Sequence, residues 1–215
     1  LSEQIAPSQE YEQVLARQLE VERRRMAQLN LLHQINTELE SLLSPASSSK
    51  LAASAIANAL GSDLTAILQY DAEQEDLVVL ASSGPTAGLI PQGYRQSINR
   101  GLMGRAARLR RTQLALDTRQ DADYIQLEDR QSLSELVVPL LHHNQIRGVI
   151  ITDKPTPNAF DDSDVRTMEA VAVRLVTSWE RSDHEQRLTN LVNAGITLST
   201  ALDVEAVIKE IAEIA

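Results

Sequence analysis

The chain has 215 residues, 43% hydrophobic but only 3% aromatic, a formal net charge of -10 and no cysteine. That length allows one domain with extensions, its core filled by Leu, Ile, Val and Ala. The negative charge excludes non-specific binding to nucleic acid or anionic membrane, which needs a positive field. The lack of cysteine excludes disulfides, thiolate metal sites and cysteine nucleophiles. No apolar run approaches the roughly 18 residues of a membrane span.

From Ser8 to Leu43, apolar residues recur at Leu15, Leu19, Met26, Leu29, Leu32, Ile35, Leu39 and Leu42, with no Gly or Pro after Pro7. Steps of three and four predict a long helix with a narrow coiled-coil seam. Successive steps of three between Met26 and Ile35 break the alternation, a phase slip that suits a joint between a connecting coil and a domain-capping helix. Ser44-Pro45 starts a second helix, which Gly61 ends. The period then changes. Leu64–Tyr70 and Leu77–Ser82 read as strands, Tyr94–Ile98 as a short strand, Gly101–Arg110 as a short helix and Leu114–Leu116 as another short strand. Leu136–Leu141 and Ile146–Thr152 form a hairpin around His142 to Gln145. Asp161 caps a helix whose buried stripe is Val165, Met168, Ala172, Leu175 and Trp179.

A helix can run straight through the polar stretch Glu180 to Arg187. Beyond it, Leu191, Ala194, Leu198, Leu202 and Asp203 echo Leu32, Ile35, Leu39, Leu43 and Ser44. This weak repeat predicts a helix end near Asp203 and the start of a second copy of the domain near Arg187. Leu1 is not a starting Met and Ile211 to Ala215 stop inside a helical pattern, so the chain reads as a piece of a longer protein. The expected division is a connecting helix over 1–29, a domain over 30–180, and a connecting helix with the start of a further module over 181–215.

Several segments carry a resemblance in their order and spacing. Gly101-Leu102-Met103-Gly104-Arg105-Ala106 opens the middle helix, and Asp117 is followed by Asp123-Tyr124. Ser134-Glu135-Leu136-Val137-Val138-Pro139-Leu140 is a serine-led strand, with Gly148-Val149-Ile150 and Phe160-Asp161-Asp162-Ser163-Asp164 after it. Together they resemble a GAF domain over roughly 30 to 180. The resemblance implies an α+β fold: an antiparallel six-stranded sheet flanked by helices, with long terminal helices of coiled-coil type. It also implies a small-molecule pocket on one sheet face and homodimerisation through the terminal helices on the other. By the same resemblance Met103, Asp117, Tyr124, Ser134 and Glu135 face the ligand space. Each has a plainer reading beside it: Asp117 can cap a turn, and Ser134 can simply start a strand.

Members of that family that attach a bilin, or reduce methionine sulfoxide, do so through cysteine, which this chain lacks. His33, His142, His143 and His184 are scattered over separate helices and a hairpin tip, so neither haem nor zinc is expected. No Gly-x-Ser-x-Gly elbow is present. Asp153-Lys154, Phe160 and Asp164-Val165 partly match a nucleotide-binding pattern of the family, with Asp153 for Asn and Val165 for Glu; starting the last helix explains the same residues.

Between Asp76 and Asp117 lies no acid but Arg95, Arg100, Arg105, Arg108, Arg110 and Arg111. This local positive field is a solvated face, a dock for acidic helices, or a site for a small anionic or nucleotide-like ligand in which Arg105 is the candidate contact. The chain therefore reads as a cytoplasmic module that senses a small molecule or partner and is not itself an enzyme. It would relay to an output module such as the histidine kinase of a two-component system, a cyclase or a phosphatase. The rival reading is a ligand-free structural relay. The ligand is left open.

Overall fold

The computed structural model describes residues 6–41, 44–126 and 132–214. The first helix, α1 (Ala6–Glu38), runs for 33 residues and tightens into a 3-10 turn over Leu39–Ser41. Helix α2 (Pro45–Leu60) is capped at one end by the Ser44 hydroxyl, which accepts from Ser47 N–H, and closed at the other by Gly61 at φ 61°. The left-handed turn there suits a residue without Cβ. Leu42 and Leu43, the last seam positions, lie outside the described residues.

Six strands follow: β1 (Leu64–Asp71), β2 (Asp76–Ser83), β3 (Arg95–Ser97), β4 (Gln113–Ala115), β5 (Ser134–His142) and β6 (Gln145–Lys154). Helix α3 (Gly101–Leu109) lies between β3 and β4. All pairings are antiparallel, in the order β3-β2-β1-β6-β5-β4. The β5–β6 turn has two residues, His143 at φ 47° and Asn144 at φ 62°. Two consecutive positive φ values define a type I′ turn, whose twist matches that of the strands.

Strand alternation divides the core into two layers. On one face Ile67, Leu136, Val138, Leu140 and Ile150 pack against α1, α2 and the start of α4 (Asp162–Ile214), with Trp179 fully buried among them. On the other face Leu64, Ala66, Leu68, Val137, Val149 and Ile151 pack beneath α3. The predicted stripe on α4 is the one that is buried, with Val165 partly covered.

The phase slip in α1 is a change of face. Leu15, Leu19, Met26 and Leu29 are exposed, whereas Leu31, Ile35 and Leu39 enter the core. Two stripes therefore run along one helix, and their overlap produces the steps of three. Helices α1 and α4 lie parallel, because Arg24 meets Asp161 and Asp164 while Arg181 donates to the Leu39 carbonyl at 2.9 Å.

The helix end expected at Asp203 is absent. Helix α4 continues for 53 residues, from Asp162 to Ile214. No proline follows Ile196 to remove a backbone donor, and a single Asp inside a helix costs only a few tenths of a kcal/mol in propensity, about 0.5.

Candidate ligand cleft beneath α3

Gly101 and Gly104 let α3 sit close to its surroundings. Gly101 has φ 72°, and a Cβ on Gly104 would stand 2.2 Å from the Ile98 carbonyl oxygen. The helix therefore lies tight against the loop after β3, and its apolar side, Leu102, Met103, Ala106 and Ala107, covers the sheet. Between them is a cleft lined in part by Tyr94, Gln96, Met103, Ile125, Glu135 and Ile151. Its free volume is about 20 Å³, space for roughly one water molecule.

The candidate residues separate on this frame. Met103 and Glu135 line the cleft, both largely buried. Tyr124 is half-buried against the same core layer, and its N–H bonds the Asp121 carbonyl. Ser134 shares the parity of Leu136 and Val138, so alternation puts it on the helix-facing side; its buried Oγ makes no hydrogen bond among the described residues. Asp117 caps the 3-10 turn Thr118–Gln120, accepting from Arg119 N–H and pairing with the Arg119 guanidinium at 2.7 Å. That pairing lowers the Asp117 carboxyl to about 2.

Arg105 is held by acids from further along the chain. Its Nη2 lies 2.6 Å from Asp121, its Nη1 2.9 Å from Asp123, and its Nε donates to Gln113. Arg95 is likewise paired with Asp71 and Asp76, and Arg108 donates to the Ile98 carbonyl. The arginine-rich window is acid-free in sequence, yet its flanks supply carboxylates in space. Arg105 thus fastens the segment 121–123 to α3 and so positions Ile125 at the cleft.

Several cleft residues escaped the sequence reading: Tyr94, Gln96, Ile125 and Ile151. Asp153 pairs with Glu135 across β5 and β6 and shares the face of Val149 and Ile151, fully buried. The period of β6 could have placed it there. Lys154, matched earlier to a nucleotide-binding pattern, points the other way and lies 5.1 Å from the Phe160 ring centroid. Burial lowers its pKa. Among the described residues, no helix is long and apolar enough to cross a membrane.

A curled antiparallel sheet with a small cleft beneath a helix on one face and the terminal helices on the other is the architecture of a class of small regulatory and catalytic domains. A family model described as GAF domain matches residues 44–175, and the chain belongs to that family of signalling sensor modules. No curated protein matches it. Among solved structures it is similar to the free methionine-R-sulfoxide reductase of Neisseria meningitidis in complex with its substrate, at 23% identity over 74% of this chain and 91% of that one, TM-score 0.67. It is also similar to the GAF domain of a phosphoenolpyruvate-protein phosphotransferase from Acinetobacter, at 18% identity over 73% and 95%, TM-score 0.66. The corresponding reductase of Staphylococcus aureus, with substrate, gives 24% identity over 71% and 95%, TM-score 0.62. These reductases overturn the expectation that the chain is not an enzyme: the same fold carries catalysis as well as sensing.

Proposed function

We propose that the chain is a cytoplasmic sensing and relay module whose ligand is a small molecule bound in the cleft between α3 and the sheet. The observation that carries this reading is the cleft itself: walls that mix apolar side chains with Tyr94 and Gln96, a recessed carboxyl at Glu135, and a roof of Met103 and Ile125 that is not continuous with the sheet. A mostly apolar pocket with a few polar groups is the usual form of a small-molecule site. A carboxyl group carries several acceptor lone pairs, so Glu135 can accept from a donor on the ligand alongside its present partner. The ligand class is therefore a small molecule with an apolar part and an N–H or ammonium group. The amino-acid substrates in the similar reductases point the same way. At about 20 Å³ the cleft is closed, and binding moves Met103 and Ile125 outward.

The relay runs through β5 and β6. Ile151 lines the cleft and Val137 and Val149 pack in the same core layer beneath α3, while their neighbours Leu136, Val138 and Ile150 touch the helical layer. Displacement on one face shifts packing on the other, because close-packed interiors transmit small movements. The exposed stripe Leu15, Leu19, Met26 and Leu29 supplies the surface for a homodimer through α1. A ligand changes the balance of states only by its differential affinity for them.

Native mass spectrometry before and after denaturation, followed by thermal shift with a panel of small amines and amino acids including free methionine sulfoxide, tests the reading. Consumption of the sulfoxide is followed in the same samples. We expect one class to raise Tm and Glu135→Gln to weaken it by about tenfold, the equivalent of about 1.4 kcal/mol. Clean protein mass with no Tm shift from any compound would replace this reading with the ligand-free relay.

A further inference from the structure

The opposite side of the sheet carries a larger feature. Where α4 passes the outer end of β5, an open groove of about 490 Å³ is lined by Val138, Leu141, Ala172 and Val173, with Arg110 and Arg111 on its rim. Val173 is 65% exposed. Strand β4 pairs with β5 only as far as Val137, so its cover ends where the groove begins.

The charge at this groove is opposite to that of the chain. Arg110 and Arg111 form no ion pair among the described residues. Glu169, the acid in the lining, already accepts from the Thr112 hydroxyl at 2.6 Å. Arg110 also closes α3 in the left-handed region, φ 53° and ψ 39°. Glycine or asparagine normally takes that position, and an arginine there costs on the order of 1 kcal/mol. Strain of this kind gathers at binding surfaces.

These observations select among occupants. An extended strand is disfavoured, because Pro139 on this stretch of β5 has no N–H for a continuous ladder. A second copy is disfavoured at the Met26–Leu29 part of its α1, where these exposed residues are flanked by Arg23 and Arg25, like charges against the rim. An anionic membrane is repelled by the net charge of -10. A helix, about 10–12 Å across, spans an open groove of this kind and lays an apolar stripe on its floor.

We propose that this groove docks an amphipathic helix of a partner protein, with Asp or Glu along its edge set against Arg110 and Arg111. The site is independent of the cleft beneath α3 and stands whether or not that cleft binds a ligand.

The test uses the full chain and a labelled helical peptide with a Leu stripe flanked by Glu, together with its Lys-for-Glu counterpart, followed by fluorescence anisotropy at low and high salt. The Glu peptide binds, more weakly at high salt. Arg110→Glu/Arg111→Glu weakens it at least ~10-fold and makes the Lys peptide the better ligand. Val173→Gln weakens both pairings. Arg111→Glu alone carries the test if the double variant does not fold by circular dichroism. No binding of the Glu peptide, equal binding to wild type and charge-reversed protein, or binding instead to phosphatidylserine-containing vesicles would overturn the proposal.

Discussion

Asp164 has its carboxylate enclosed by donors from three directions. Arg24 reaches it through Nε at 3.3 Å and through Nη2, Gln28 Nε2 lies at 2.9 Å, and the Asp161 backbone N–H at 3.0 Å. Gln28 in turn accepts from the Ser163 hydroxyl at 2.8 Å. One buried acid thus joins α1 to the first turn of α4. Removing it leaves several donors unanswered, and Asp164→Ala is expected to cost about 2–4 kcal/mol in urea unfolding. Arg24 is partly solvated, and Arg24→Ala is expected to cost about 1 kcal/mol. Lys154 behaves differently. Burial lowers its folded pKa, so in the window below the ordinary lysine value the unfolded chain binds more protons and stability rises with pH. Lys154→Met should flatten that rise, read by unfolding at pH 8 and pH 10. Asp117 has the same sign in a different window: with its carboxyl at about 2, its contribution is complete above the unfolded value and is lost only as pH falls toward 2, which a carboxyl NMR titration follows. At this scale the sequence was least legible. The acids that hold Arg105 lie outside the window that made it conspicuous, and Ser134 misses the cleft by a single step of strand parity.

Elements were more legible than residues, because they are set by local rules. The Ser44 cap, the Gly61 stop, the hairpin and the buried stripe of α4 follow from spacing and turn chemistry. β1, β2, β5 and β6 run one or two residues further at their ends than their apolar cores suggest, since ladders continue into polar ends such as Asp71 and Lys154, whereas β3 is confined to Arg95–Ser97 and β4 is shifted by one residue to Gln113–Ala115. The missing break at Asp203 shows the limit of a cap signal: a capping residue ends a helix only where the backbone has cause to leave it. Gly104 is the sharpest element-scale test. A methyl group there meets the Ile98 carbonyl oxygen, which is backbone and cannot rotate aside, so Gly104→Ala should destabilise by about 2–3 kcal/mol. The same change should lift α3, and added fluorescence of a dye binding apolar surface would report the opened cleft; a stable variant with a closed cleft would refute the account of this close approach.

Across the whole molecule, length and apolar pattern indicated one domain on long helices, and the sheet with its two packed faces follows that outline. The cleft's closure was not legible, because it depends on Met103 and Ile125 meeting across about 20 residues of chain. Outside the domain, Leu15 and Leu19 remain on water. Leu15→Ser/Leu19→Ser should leave the melting of the domain within about 0.5 kcal/mol of wild type, while sedimentation velocity should show any dimer formed through α1 reduced to monomer.

The pairs Arg24–Asp164 and Leu39–Arg181 fix α1 to α4 at two heights. These two contacts hold the helices in one register, and the azimuth of the stripe at Leu15 is thereby set relative to α4. Deleting one residue between Leu19 and Arg24 would swing that stripe by about 100° while leaving the folded domain untouched, whereas deleting the four residues from Glu20 to Arg23 would restore it to within about 40°.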